Sequence, residues 1–365
     1  MFIYQITDFL ETLAPLSYQE SYDNCGLIIG DKNAQLLGAL ITLDVTEEVI
    51  DEAIQKKCNL ILAHHPLVFS GLKKITGKNY VERAVIKAIK NDVAVYAIHT
   101  NLDNMSDGVN AKICQKLGLV KTSILQPKSQ LFSKLITFVP KDFTAQVQQA
   151  IWQAGAGNIG NYSECSFVSE GQGTFTGNQQ SQAFVGTPNS RHTENEHKLD
   201  VIFPTYLKTK IIDALENAHP YEEVAYDIFQ LNNEAKLIGA GMIGQLPSPI
   251  KTTDWLAYLK KQMDVTCIRY TKFDKEFIHT VAVCGGAGSF LLGNAIAQKA
   301  DVFVTGDFKY HEFFNAENAL MICDIGHYES ERFTSEMLME KLLEKFTTFA
   351  PQISSINTNP VNYYI

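Results

Sequence analysis

No run of consecutive apolar residues reaches the roughly 18 that a helix needs to cross a bilayer, so a membrane-spanning helix is not expected. The first ten residues mix Gln5, Thr7 and Asp8 among apolar ones, unlike a secretory leader, and the expected compartment is the cytoplasm. Paired cysteine motifs are also missing. The seven cysteines, Cys25, Cys58, Cys114, Cys165, Cys267, Cys284 and Cys323, are scattered, odd in number and never spaced as CxxC, which argues against a disulfide framework or a thiolate zinc site. Most lie among apolar neighbours, as in AVCGG and MICDI, and read as buried reduced thiols. Positive charge is scarce: 31 Lys and Arg against 40 Asp and Glu leave a net charge of -9. A protein built to grip nucleic acid needs clustered cations, so that class is disfavoured, although the inner surface of a ring could be locally basic.

What is present is an ordinary globular composition, 45% hydrophobic and 19% charged, far from the signature of disorder. A length of 365 residues predicts two or more domains. Over residues 1 to about 120, short β-branched runs (GALITLDV, NLILAHHP, VAVYAIHTNLD) alternate with amphipathic stretches (TEEVIDEAIQKK, VERAVIKAIKN). The alternation returns as HTVAVCGGAG, SFLLGNAIAQKA, DVFVTGD, KYHEFFNAENA, LMICDIGHYES and ERFTSEMLMEKLLEKF. Both ends are therefore expected to be α/β, with mostly parallel strands covered by helices.

The middle differs. Its order of strand (KLITFVP), helix (DFTAQVQQAIWQAG), strands around YSECSFVSE and GTFTG, strand (KLDVIFP), helix (TYLKTKIIDALENA) and strand (EEVAYDIFQL) suits an α+β, ferredoxin-like module. The expected organisation is an α/β core from residues 1–124 and 246–365, forming two interleaved layers, with an inserted domain at 125–245. The polar run from Phe184 to Lys198 is expected to be an exposed loop.

Three pieces carry candidate chemistry. His64 and His65 follow the run LILA, and Pro66, which cannot donate a ladder hydrogen bond, ends the strand there. HTNLD follows VAVYAI and delivers Asp103 to a neighbouring strand end. GHYESE follows LMICDI, and His327 and Glu331, four apart, share one helix face if a helix begins near Tyr328. Carboxyl ends of parallel strands are where open α/β sheets place their ligands. Alone, each piece describes a structural histidine as well as a ligand; the three together point to metal. Three histidines and two carboxylates exceed the roughly three protein ligands of a catalytic zinc and suit two bridged divalent ions. Asp103 or Glu331 would be the bridge. Without a thiolate the set suits zinc, manganese, iron, cobalt or nickel.

Other residues carry candidate roles beside these. His99 could orient a ligand or pass a proton. Asp307 and His311 in TGDFKYHE could act as general base or acid beside the cations. Gly285, Gly286 and Gly288 follow a strand and could receive a phosphate on their N–H groups, or simply make a tight turn, since no P-loop or GxGxxG pattern is present. Asp23 and Asn24 line a pocket or cap a turn. His219, Glu222 and Glu223 in HPYEE read as a structural joint rather than a second metal site, and Phe313 and Phe314 as core rather than a base-stacking platform.

YDNCGLIIG, LDVT, AHHP, HTNLD, GGAGSF, ADVFVTGD and DIGHYESE closely resemble the Nif-three-like family, known also as GTP cyclohydrolase I type 2 homologs or dinuclear-metal-centre hexameric proteins. GTF and AHPYEEVAYDI in the insert look like the extra domain of longer bacterial members, which is similar to signalling and copper-tolerance proteins. The resemblance implies two metals at His64, His65, Asp103, His327 and Glu331, and a toroidal homohexamer with its sites facing an internal cavity. Tyr22, where many relatives carry Trp, and Cys25 depart from the family pattern and bear on the pocket wall only. The leading expectation is a metal-dependent hydrolase of a small nucleotide-like substrate, with GTP ring opening as the implied candidate. The alternative is a non-catalytic metal carrier, sensor or scaffold.

Overall fold

The runs ALIT, LILA and AVYA become the strands Ala39–Thr42, Leu60–Ala63 and Ala94–Ala97, in which every residue is buried. Parallel strands covered on both faces have no solvent side, which is why these runs lack polar alternation. The two helices between them begin at side-chain caps. Thr46 Oγ1 accepts from Val49 N at 3.3 Å ahead of Glu47–Gln55, and Asn79 Oδ1 accepts from Glu82 N at 2.9 Å ahead of Tyr80–Lys90. Acidic residues in both first turns, with Lys87 and Lys90 in the last turn of the second helix, complement the helix dipole.

The structure, a computed structural model, describes residues 1–364. Residues 1–127 and those from 236 onward form one compact unit, and residues 128–235 form another. The first unit holds two mixed sheets. One runs in the order Gly26–Ile29, Ala94–Ala97, Leu60–Ala63, Ala39–Thr42, Gln352–Ile353, parallel except for its first strand. The other runs Arg269–Tyr270, Met321–Asp324, Val302–Gly306, Phe277–Ala287, Ala235–Lys251, Val120–Lys128, with its second, third and fourth strands mutually parallel.

The layers are interleaved by exchange. Gln352–Ile353, late in the chain, joins the sheet of the N-terminal segment, and Val120–Lys128 joins the sheet of the C-terminal segment. Ile41, Leu62 and Tyr96 from one sheet and Val283, Val304 and Cys323 from the other lie in a single hydrophobic core. That shared core carries the carboxyl ends of Leu60–Ala63, Ala94–Ala97 and Met321–Asp324, after which His64, His99 and His327 come within a few residues.

The second unit runs strand Phe132–Pro140, helix Thr144–Gln153, strands Phe167–Thr176 and Arg191–Pro204, helix Lys208–Ala218 and strand Tyr226–Leu231. The spatial order is second, third, first, fourth strand, all antiparallel, and Leu135, Val147, Ile151, Val201, Phe203 and Ile211 fill its core. His219 is the expected joint: Nε2 lies 3.0 Å from Phe138 O and Nδ1 accepts from Tyr221 N at 3.1 Å, which leaves no nitrogen for a metal.

Two sequence expectations need correction. Residues 191–198, expected within a loop, form the first half of the strand Arg191–Pro204 and pair with Glu170–Thr176 and Ser169. Their polarity gave no strand signal, because pairing with GTFTG rather than burial of an apolar face holds them in place. The insert boundary also moves inward from 125–245 to 128–235. Ala235–Lys251 is one continuous strand whose residues Met242–Gln245 pair with Thr280–Val283, so most of its length belongs to the core.

Replacing residues 129–234 by a short linker should leave a folded core, because the neighbouring strands Val120–Lys128 and Ala235–Lys251 both survive. Deleting residues 125–245 should instead give insoluble or non-cooperatively melting protein, having removed the partner of Phe277–Ala287. Circular dichroism melts of the two deletions check this; equal stability would contradict it.

Candidate metal centre

His64 N and His65 N still donate to Thr42 O and Leu43 O, at 3.1 and 2.9 Å, so ladder pairing persists up to the residue before Pro66. Beyond it the backbone leaves strand geometry, and the two adjacent rings lie 4.9 Å apart instead of on opposite faces. Asp103 closes the short helix Thr100–Asp103. His327 and Glu331 bound the single-turn helix His327–Glu331, entered through Gly326 at φ 96°, a left-handed backbone that glycine adopts freely. Gly286, at φ 63°, lies opposite; a Cβ there would fall on Glu331 Oε1.

The buried Glu331 carboxylate is the centre of the arrangement. Its Oε2 lies 3.0 Å from His65 Nε2 and 3.2 Å from His327 Nε2, and its Oε1 lies 3.8 Å from His64 Nε2. Asp103 Oδ1 stands 3.6 Å from the same His64 nitrogen. Three donor groups could hold a metal ion: His65, His327 and Glu331; His64, Asp103 and Glu331; and His64, His65 and His99. The donor set fits a divalent cation on one further ground. His64 Nε2 and Asp103 Oδ1 are buried with no hydrogen-bond partner among the described residues, a costly state that a cation between them would relieve. Every imidazole is anchored through Nδ1: His64 on Ile98 O at 2.9 Å, His65 on Asp44 at 2.8 Å, His327 on Asp307 at 2.7 Å and His99 on Asp23 at 2.9 Å. Such anchoring fixes which nitrogen faces a metal.

The family model for Duf34/NIF3 (NGG1p interacting factor 3) matches residues 1–360. The chain belongs to this family. It is 36% identical to a Bacillus subtilis protein and 38% identical to one from Halalkalibacterium halodurans, each called "GTP cyclohydrolase 1 type 2 homolog", with 98% of both chains covered in each comparison. Among solved structures it resembles a Bacillus cereus protein related to NIF3, with 36% identity, TM-score 0.84 and 100% and 99% of the two chains covered. Family membership agrees with the mixed α/β architecture. No helix among the described residues is long and apolar enough to cross a membrane.

Not every singled-out residue joins the cluster. His99 does, edge-on to His64 and His65 at 5.2 Å from each. Asp307, in left-handed backbone at φ 57°, reaches it only as the partner of His327 Nδ1. His311 lies on the exposed side of a 3-10 turn, its ring 5.1 Å from Tyr310 and 6.4 Å from Phe314, and belongs to none of the donor groups. Phe313 packs into the core as expected, whereas Phe314 is exposed. Gly285 N and Gly286 N donate to Asn110 Oδ1 and Ser330 Oγ, both at 2.9 Å, so these N–H groups are not free for a phosphate. Asp23 accepts from His99 and from the backbone and hydroxyl of Thr100, and Asn24 Nδ2 donates to Val68 O. Sequence reasoning passed over Asp44, although its place just beyond the strand Ala39–Thr42 in LDVT was a usable signal.

The carboxylates of the cluster set the proton affinities of its imidazoles. Burial opposes a cationic His65, but hydrogen bonds to Asp44 and Glu331 outweigh it and raise its pKa to about 10. His327 is likewise raised to about 9 against burial by Glu331 and Asp307. Burial and the nearby Glu331 charge push Asp103 up to about 7, whereas the histidine partners hold buried Glu331 well below the usual carboxylate range. Both raised histidines bind more protons folded than unfolded above their ordinary value of 6.5. Their stabilisation is complete below that pH and is lost as pH rises through 9 and 10. Metal-free protein in chelator should therefore melt at progressively lower temperature from pH 6.5 to 10. Calorimetric melts across this range check the slope, and a rising melting temperature would contradict it.

Proposed function

We propose that the chain is a dinuclear metal-dependent hydrolase of a small nucleotide-like substrate, with GTP ring opening as the first reaction to test. The observation that carries this reading is the division of Glu331 between two donor groups, Oε2 toward His65 and His327, Oε1 toward His64 Nε2, which Asp103 Oδ1 also approaches. A carboxylate presenting one oxygen to each of two sets is the bridge a two-ion site needs, and it favours Glu331 over Asp103 in that role. When bound, a pair of divalent ions supplies Lewis acidity and lowers the pKa of water toward neutrality. The names of the relatives support the choice of first substrate.

The protein's own groups do the remaining work. His99, held by Asp23, stands edge-on to two of the ligands and is placed to receive or return a proton. Asp307 keeps the His327 ring aimed by accepting its Nδ1–H, a positioning role rather than that of a free base. Phe69, exposed and 5.7 Å from the His99 ring, offers a flat apolar surface at the edge of the cluster, as a heterocyclic substrate would use.

Two measurements test this reading. After dialysis, metal analysis should find two ions per chain in the wild type, one in His327→Ala and none in Glu331→Ala, because only Glu331 serves both sets. Equal losses in the two variants would remove the bridging role. Metal-loaded protein should consume GTP, and folded His65→Ala should lose that turnover by about 100-fold or more. If a screen of nucleotides, phosphoesters and amides finds no turnover above the metal-free control, a metal carrier or sensor replaces the hydrolase.

A further inference from the structure

Ser354 to Asn359 follows the strand Gln352–Ile353 and lies outside the ligand set, yet it is bonded to the residues that hold the ligands. Ser354 N continues the parallel pairing by donating to Ile41 O at 2.8 Å. Ser355 N and Oγ donate to Glu52 Oε1 at 2.8 and 2.6 Å, fastening the segment to the helix Glu47–Gln55. Further along, Thr358 Oγ1 donates to Asp44 Oδ2 at 2.6 Å, and Asn359 Nδ2 donates to Glu329 Oε1 at 3.0 Å. Asp44 Oδ1 is the acceptor for His65 Nδ1, and Glu329 lies within the helix His327–Glu331.

Both oxygens of Asp44 are thus committed, one to His65 and one to Thr358, so its carboxylate cannot turn without breaking one of these bonds. The residues from 354 to 359 are exposed or half-buried, and polar bonds rather than core packing hold them. Asn359 N and Val361 N close local turns on Asn357 Oδ1 and Asn359 Oδ1, each at 3.0 Å, which stiffens the backbone that presents Thr358 and Asn359.

We propose that Thr358 and Asn359 are positioning residues of the metal centre. Thr358 locks the Asp44–His65 pair, and Asn359 ties Glu329 and with it the turn that carries His327 and Glu331. This rests on the reading of the cluster as a metal site, but not on any activity. The physical reason is that a ligand is only as well placed as the group that orients it, and outer partners of this kind typically change metal affinity by about 10- to 100-fold.

The test uses full-length protein with cobalt(II), whose visible absorption reports ligand geometry. Thr358→Val removes the hydroxyl at nearly constant volume, Thr358→Ser restores it, and Ser355→Ala loosens the same segment at Glu52, away from the relay. Thr358→Val should lose cobalt to a chelator about 10-fold faster or more, with an altered spectrum. Thr358→Ser and Ser355→Ala should match the wild type, and metal-free melting temperatures should agree across the set. Asn359→Ala should weaken cobalt binding in the same direction and serves as the second variant should Thr358→Val fold poorly. Wild-type retention and spectrum in both Thr358→Val and Asn359→Ala would overturn the inference, as would Ser355→Ala failing as badly as they do. Failure of the wild type itself to bind cobalt would instead overturn the metal-centre reading.

Discussion

A buried carboxylate, Glu331, surrounded by three imidazole nitrogens is the constraint from which the rest of the site follows. A charge taken out of water is tolerated only when partners replace its hydration, and the partners here come from two distant parts of the chain. His64 and His65 arrive from one sheet, His327 and Glu331 from the other. Gly286 is without a side chain where one would collide with Glu331, so the turn that carries Glu331 can pack closely on the strand Phe277–Ala287 of its own sheet. The same requirement explains why the first two glycines of GGAG serve clearance and bonding within the protein: their N–H groups are taken by Asn110 and Ser330.

Bringing the two loop sets together is the task of the interleaved core. The chain places a strand of each terminal segment in the sheet of the other, and both sheets press their apolar faces into one cluster of side chains. Sliding one sheet relative to the other would open cavities in that core and separate His65 from Glu331. Packing therefore sets distances between these side chains that no local propensity could set.

Around these side chains runs a layer of groups that belong to none of the candidate donor sets but decide how their members point. Asp44, Asp307, Asp23 and the carbonyl of Ile98 each take one Nδ1, leaving the Nε2 atoms of His64, His65 and His327 to converge on Glu331. The carboxylates of Glu331, Asp44 and Asp307 raise the proton affinities of His65 and His327, and the same field would favour a cation. A metal ion bound here would compete with protons for these nitrogens, which would couple its binding to pH.

How much of this was readable in the chain follows from range. Short buried runs announced the parallel strands, and Pro66, HTNLD and GHYESE announced polar residues just past them, because strand length, proline geometry and helical spacing are local properties. Residues that act through another residue were harder to read: Asp44 stood in LDVT just past a strand, whereas Thr358 and Asn359 carry no motif of their own, and their bonds exist only once Asp44 and Glu329 lie beside them. The first half of the strand Arg191–Pro204 escaped notice because it is held by a partner strand and not by an apolar face. Residue types and local periodicity determined the α/β core, the separate middle module and the chemistry of the donors. Tertiary packing alone decided that Glu331 divides its oxygens between two donor sets and that His311 stays apart from them, since distances between loops hundreds of residues apart depend on how two sheets share a core.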